Sequence, residues 1–342
     1  MSFKDIEGHE RPITILKRAL ANRTLAHAYL FSGEEGTGRK MTALALAGAV
    51  NCADAGPEGG CGACPSCRKI ARLEHPDVHI VAPDGDEIKI DQIRQIQAAL
   101  SLKPFEGAKK TLIIDGAESM NIASSNAFLK TLEEPPGDTL IILVASRPQG
   151  LLPTIRSRCQ EIRFHPLPRR ALAQALMRRR GLSDEDAWFL AALAQGSMGS
   201  GLAMDVEQEK AAREEFLDLL AGLGSMDPAE ALARAEALAK DRDRFERLLD
   251  IGMEWLRDAL VYRETQDEKL LVHGRAQDRH QEWGGRLSVP RMLADVDLFV
   301  ASRGLLERRV SAQLVAENLL LELGRDDTSG MWNEYDGKRN RK

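Results

Sequence analysis

His27-Ala28-Tyr29-Leu30-Phe31-Ser32-Gly33-Glu34-Glu35-Gly36-Thr37-Gly38-Arg39-Lys40 is the stretch that decides the fold. Its first residues form an apolar run that reads as a buried strand. A Gly-rich turn follows, and the Ala/Leu-rich residues Met41 to Val50 read as a helix. The turn has the frame Gly-x4-Gly-Lys-[Ser/Thr], in which glycines let backbone N–H groups cradle phosphate at a helix N-terminus. The alternative is a Gly-rich turn that merely joins strand to helix; the strand-to-helix placement favours the phosphate loop. Gly33, Gly36 and Gly38 keep the frame. Arg39 stands where the phosphate-binding lysine belongs, and Lys40 stands where a hydroxyl would ligate magnesium. Lysine cannot coordinate a cation, so metal-assisted phosphoryl transfer is disfavoured, while nucleotide binding without hydrolysis stays open.

Outward from this loop, residues 1–167 alternate short apolar runs with helical stretches, the pattern of a parallel α/β sheet. The spacing predicts strands at His27–Ser32, Val78–Ala82, Thr111–Asp115, Leu140–Ser146 and Glu161–Phe164, each apolar enough to be covered by helices on both faces. A helix over Met120–Glu134 is stopped by Pro135-Pro136. Asp115, at the end of its strand, reads either as the acidic residue that holds magnesium in phosphate-loop enzymes or as a helix N-cap. Gly116 follows it where a water-orienting glutamate would stand, and Glu118 is too far along to inherit that geometry.

After Pro166-Leu167-Pro168 the strand signal gives way to helical periodicity up to about Gly324. Breaks near Gly196–Gly201 and Gly222–Pro228 divide this half into a small helical unit, 168–208, and a larger helical bundle, 209–325. The polar segment 326–342 reads as a disordered tail whose basic end, Lys338 to Lys342, is a solvated terminus or a DNA contact. Trp188, Trp255 and Trp283 read as helical core or interface residues, and Trp332 has no such assignment.

Four of the five cysteines form Cys52-x8-Cys61-x2-Cys64-x2-Cys67 within a Gly/Pro-rich loop. Such spacing lets four thiolates converge on one tetrahedral ion and leaves no open coordination position, so it predicts a structural zinc site rather than unligated thiols. The composition is that of a globular chain, 43% hydrophobic and 29% charged with a net charge of -5, which argues against a protein that coats nucleic acid through its overall field. The first residues lack an apolar signal region, and the longest apolar run, Leu140–Ala145, is too short to span a bilayer. The expectation is a cytoplasmic protein with no membrane partner.

Several segments together resemble the clamp-loader branch of the AAA+ family: His27-Ala28-Tyr29-Leu30-Phe31 with its phosphate loop, the cysteine cluster, His75-Pro76-Asp77, Leu129-Lys130-Thr131-Leu132-Glu133-Glu134-Pro135-Pro136 and Ser157-Arg158-Cys159. The resemblance covers residues 1 to about 205. It implies an AAA+ module with a parallel five-stranded sheet and flanking helices, then a small helical lid and a C-terminal helical collar. It further implies a place in a replicative DNA polymerase holoenzyme. There the chain would join motor subunits and a delta-type subunit in a hetero-pentamer that loads a sliding clamp on primed DNA. Arg158 resembles the arginine that such subunits present to the ATP of a neighbour, although Arg156 and Arg158 also read as solvated helix charges. Ser146 resembles the polar sensor beside a γ-phosphate. In Gly196-Ser197-Met198-Gly199, Gly199 stands where motor subunits carry a second sensor arginine. The losses together imply a subunit that hydrolyses no ATP itself. The alternatives are an active AAA+ ATPase with an unconventional loop and a zinc-stabilised scaffold outside replication.

Overall fold

Apolar residues at alternating positions of the strands bury on both faces of one sheet, and this decides the architecture of the N-terminal half. The computed structural model describes residues 2–223, 226–267, 270–272 and 288–324. Strands β1 (Ala28–Ser32), β2 (Val78–Val81), β3 (Lys110–Asp115), β4 (Thr139–Ala145) and β5 (Gln160–Arg163) form a parallel sheet in the order β2-β3-β4-β1-β5. Tyr29, Phe31, Ile113, Ile142 and Val144 pack on one face against α1 (Glu10–Ala21) and α2 (Arg39–Asn51). Leu30, Leu112, Ile114, Ile141 and Leu143 pack on the other against α4 (Ile90–Ser101) and α5 (Ile122–Glu133). Period-two alternation thus feeds two cores from the same strands.

The predicted strands all form, with ends displaced by one residue. Only the three central strands are covered on both faces: β2 and β5 are the sheet's edges, and most of their residues are partly or fully exposed. An apolar run cannot reveal which strand lies at an edge, because that depends on pairing order. The helix expected from Met120 starts at Ile122, where the Asn121 side chain accepts the Ser124 N–H at 2.9 Å.

The chain divides into two compact units, Met1–Ala203 and Met204–Lys342. The first contains the sheet and the helices α7 (Arg169–Arg180), α8 (Asp184–Leu193) and α9 (Met198–Ala203), so residues 204–208 of the expected lid fall in the second unit. Gly199 and Gly201, expected in a break, lie within α9; the turn is confined to residues 194–197. Arg169 lies over the half-buried ring of Trp188, 5.3 Å from its centroid.

In the second unit α10 (Val206–Leu223), α11 (Pro228–Ala239), α12 (Arg242–Thr265), α13 (Val289–Glu307) and α14 (Ala312–Leu323) enclose Phe216, Phe245, Trp255, Phe299 and Leu319. Trp255 is fully buried there, as its sequence context predicts, whereas Trp283, Trp332 and the basic tail lie outside the described residues.

One polar side chain organises the loop ahead of β3. Asp77 is 1% exposed, and its carboxylate accepts the N–H groups of Phe105 at 2.7 Å, Glu106 at 2.8 Å and Gly107 at 2.7 Å. Burial alone would raise its pKa; the three donors outweigh burial and hold it below the ordinary carboxylate value. Its stabilisation is therefore fully present above about pH 4, the unfolded value, and is lost as pH falls through the depressed folded value. Asp77→Ala is expected to cost about 2 kcal/mol in chemical denaturation at pH 7. The gap to the parent protein should narrow progressively below about pH 4.

Candidate functional site: a phosphate loop closed on itself

The sheet order brings the C-terminal ends of β1, β3 and β4 side by side, with Ser32 in register with Ala145 and Asp115 with Val144. Ligands of open parallel sheets bind at this edge. The phosphate loop leaves β1 here and enters α2, whose N-cap Gly38 is left-handed at φ 86°. Among the sequence-predicted residues, Arg39, Lys40, Asp115 and Ser146 meet at this edge, paired with one another.

Lys40 Nζ lies 2.9 Å from Asp115 Oδ2. The strand-end carboxylate that could hold a cation is thus already neutralised by an ammonium group of the same chain. Asp115 is not a helix N-cap: Gly116, left-handed at φ 72°, occupies that place ahead of the short 3-10 helix Ala117–Ser119. A glutamate would be strained at this φ, which only glycine adopts readily, so backbone shape and the missing water-orienting carboxylate go together.

Arg39 is 6% exposed, and its Nη2 donates to Ser146 Oγ at 2.9 Å. Burial lowers its pKa, while Glu118, Asp115 and Glu35 pull the other way. Glu118 bonds to the backbone that follows β4, while its Oε2 is buried without a hydrogen-bond partner. Its Oε1 accepts the backbone N–H groups of Ser146 at 2.7 Å and Arg147 at 3.1 Å, pinning the end of β4.

The helical segment after Gly196 lies directly on the loop. Gly199 N–H donates to the Gly36 carbonyl at 2.9 Å. A Cβ added at Gly36, where φ is 74°, would stand 2.0 Å from Ser197 Oγ, and one at Gly199 would stand 3.0 Å from Gly36 Cα. Gly36 is favoured by its left-handed φ, its added Cβ meeting first the Ser197 side chain, whereas at Gly199 the added Cβ meets the Gly36 backbone itself. Gly199 thus stands in contact with the loop at the position where the resemblance placed a sensor arginine. His9, the N-cap of α1, is buried nearby and meets Phe164 edge-on at a ring distance of 5.0 Å.

Arg158 follows the short helix α6 (Pro153–Arg156), away from the loop in sequence and held by two acceptors. Its Nη1 donates to the Thr154 carbonyl at 2.9 Å and its Nη2 to Glu133 Oε1 at 2.5 Å. The importance of Glu133, the last residue of α5, is not legible from spacing, since its partner is 25 residues away in sequence. The only signal is that Glu133 sits in the Leu129–Pro136 segment and Arg158 in Ser157-Arg158-Cys159, two motifs singled out independently.

The four clustered cysteines do converge. The sulfurs of Cys52, Cys61, Cys64 and Cys67 all lie within 4.8 Å of one another, with Cys52 and Cys64 at 3.8 Å. A tetrahedral ion with metal–sulfur bonds of about 2.3 Å requires sulfur separations of about 3.8 Å, so the donor set fits one. Backbone N–H groups of Cys61, Cys64 and Cys67 point at the sulfurs of Cys52 at 3.2 Å, Cys61 at 3.3 Å and Cys64 at 3.4 Å. Such donors suit thiolate charge. As bare groups the four could not ionise together: the Cys67 N–H holds Cys64 down to about 6, while burial pushes Cys67 up to about 12. A bound cation would remove that conflict. Cys159 stands apart, its thiol also pushed up to about 12 by burial.

A family model described as "DNA polymerase III, delta subunit" matches residues 8–168. The DNA polymerase III subunit delta' of Pseudomonas aeruginosa is 31% identical over 301 residues, 87% of this chain and 91% of that relative. The chain belongs to the DNA polymerase III delta' family. The delta' subunit of Bacillus subtilis is 40% identical over 178 residues, a match spanning 52% of this chain and 54% of that relative. The tau subunit of the same organism is 37% identical over 177 residues, 52% of this chain and 31% of that protein. No helix among the described residues is long and apolar enough to cross a membrane.

The contact between Gly36 and Ser197 yields a direct test. Gly36→Ala should lower the stability of the first unit by about 1–3 kcal/mol, from the strained φ and the clash together. Measured against Ser197→Gly alone, which loses the Ser197 Oγ bonds to Ser200, Gly36→Ala should cost only the strain of its φ, which thermal melting of the single and double variants resolves.

Proposed function

We propose that this chain is a non-hydrolysing subunit of the DNA polymerase III clamp loader, which helps to place a sliding clamp on primed DNA. The observation that carries the reading is the pair Lys40–Asp115 at 2.9 Å. A positive side chain occupies the place of the metal and quenches the carboxylate that would hold it, so neither magnesium nor a charge-neutralised phosphoryl transfer is supported there. The pairing of Arg39 with Ser146 and the closure of Gly199 on Gly36 point the same way. The Lys40–Asp115 pair also speaks against the alternative of an active ATPase with an unconventional loop that uses Lys40 on phosphate, while Arg39 Nη1, buried with no hydrogen-bond partner, leaves nucleotide binding without hydrolysis open.

In this reading residues 1–167 form the AAA+ module, 168–208 the lid and 209–325 a collar through which the subunit joins its motor and delta-type partners in a hetero-pentamer. Arg158 is the residue useful to a neighbour. Its guanidinium would neutralise charge developing on the γ-phosphoryl group of ATP bound by the adjacent motor subunit, an effect worth about 10³ to 10⁵ in rate elsewhere. The cysteine cluster holds zinc and serves stability, since four sulfurs leave no position for a reacting water.

Reconstitution with the other loader subunits tests the central claim. Arg158→Ala should lower DNA-stimulated ATP hydrolysis at the adjacent motor subunit's site by at least about a hundredfold, read in an assembly whose other motor sites are inactivated. The isolated parent chain should turn over no ATP; unchanged hydrolysis in the Arg158→Ala assembly would refute the arginine assignment. For the metal, elemental analysis is expected to find about one zinc per chain. Cys61→Ser should lower both that content and the melting temperature.

A further inference from the structure

Arg158 does not stand alone. We propose that Glu133 is a positioning residue for Arg158, holding its guanidinium in the orientation in which it meets the phosphates of a neighbouring subunit. The inference rests on the arginine reading above and deepens it.

The geometry is a two-point mount. Nη1 donates to the Thr154 carbonyl at 2.9 Å, and Nη2 donates to Glu133 Oε1 at 2.5 Å. Thr154 lies within α6 and Glu133 ends α5, so the two acceptors come from separate elements. Both elements are anchored: Phe128 and Leu132 of α5 and Ile155 of α6 are buried in the same core beneath the sheet. The backbones that carry both acceptors are therefore fixed by that core, while the guanidinium and the carboxylate remain accessible, with side-chain exposures of 36% for Arg158 and 50% for Glu133.

An arginine side chain has many rotamers, and an unheld one samples them all in water. Each bond to a fixed acceptor removes part of that freedom before the neighbour arrives, so less is lost when the phosphate is met. Two of the five guanidinium N–H groups are used by the mount, and three are left for an anion. The carboxylate also lowers the net charge of the finger. At this exposure the attraction is screened, and orientation is the larger contribution.

The test uses the reconstituted clamp loader with this subunit carrying Glu133→Ala, Glu133→Gln, Arg158→Ala or Glu133→Ala with Arg158→Ala. DNA-stimulated ATP hydrolysis at the adjacent motor subunit's site, the other motor sites being inactivated, is measured across ATP concentrations. Glu133→Ala is expected to lower kcat by about fivefold, the orienting effect of one exposed ion pair, with the KM for ATP unchanged. Glu133→Gln, whose amide oxygen still accepts from Nη2, should retain rates within about twofold of the parent. The double variant should be no slower than Arg158→Ala alone, because Glu133 acts only through Arg158. Melting temperatures of the subunits establish that each variant is folded. A parent-like rate in Glu133→Ala, when Arg158→Ala has collapsed the rate, overturns the positioning role and leaves the arginine reading intact. A faster Glu133→Ala, or a loss that adds to that of Arg158→Ala, overturns it equally. A parent-like rate in Arg158→Ala instead overturns the arginine reading itself, and the inference with it.

Discussion

A single backbone hydrogen bond, from Gly199 N–H to the Gly36 carbonyl, joins the helical segment of the first unit to its phosphate loop. It requires two backbones to approach so closely that neither side could carry a Cβ without displacement: the added atom would stand 2.0 Å from Ser197 Oγ at Gly36 and 3.0 Å from Gly36 Cα at Gly199. The approach is supported at its margins. Leu167 N–H donates to the Gly196 carbonyl at 2.8 Å, and Arg178 pairs with Glu7 at 2.9 Å. A nucleotide site that must open and close with each turnover works through motion of this kind of contact. Here the contact is direct, and Lys40 beside the loop is paired with Asp115.

The polar groups at the sheet edge follow one logic. Lys40 pairs with Asp115, Arg39 with Ser146, and Glu118 with the N–H groups that follow β4. Charged groups gathered at a sheet edge are costly unless paired or bound to a ligand of opposite charge. In a hydrolysing site the ligand and its metal meet that need. In this chain Lys40 and Asp115 meet it for each other, while Arg39 Nη1 and Glu118 Oε2 are buried without a hydrogen-bond partner. By contrast Arg158 lies outside this network, mounted on Thr154 and Glu133 with N–H groups to spare.

The sheet, its five strands and the helical second half were legible because period-two and helical patterns reflect burial directly. Gly33, Gly36 and Gly38 announced a phosphate loop, and Lys40 announced the lost hydroxyl, because a motif of fixed spacing constrains local geometry. The cysteine spacing told of convergence for the same reason, and the four sulfurs do converge. Edge strands were misread as covered, since pairing order leaves no mark on an individual run. Asp115 stayed divided between two readings because its deciding partner, Lys40, comes from the start of α2, two strands earlier in the chain.

What the sequence by itself determined was therefore local: which runs become strands, which turn has the phosphate-loop frame, which cysteines can share an ion, and which residues depart from that frame. Only the tertiary structure decided how the altered residues are used. Lys40 reaches Asp115, Arg39 turns to Ser146, Gly199 closes on Gly36 and Glu133 holds Arg158, all across sequence separations of at least 25 residues. The physical reason is that propensity and spacing act within a few residues, whereas these contacts exist because strand order brings distant ends to one edge and because helices pack on a shared core.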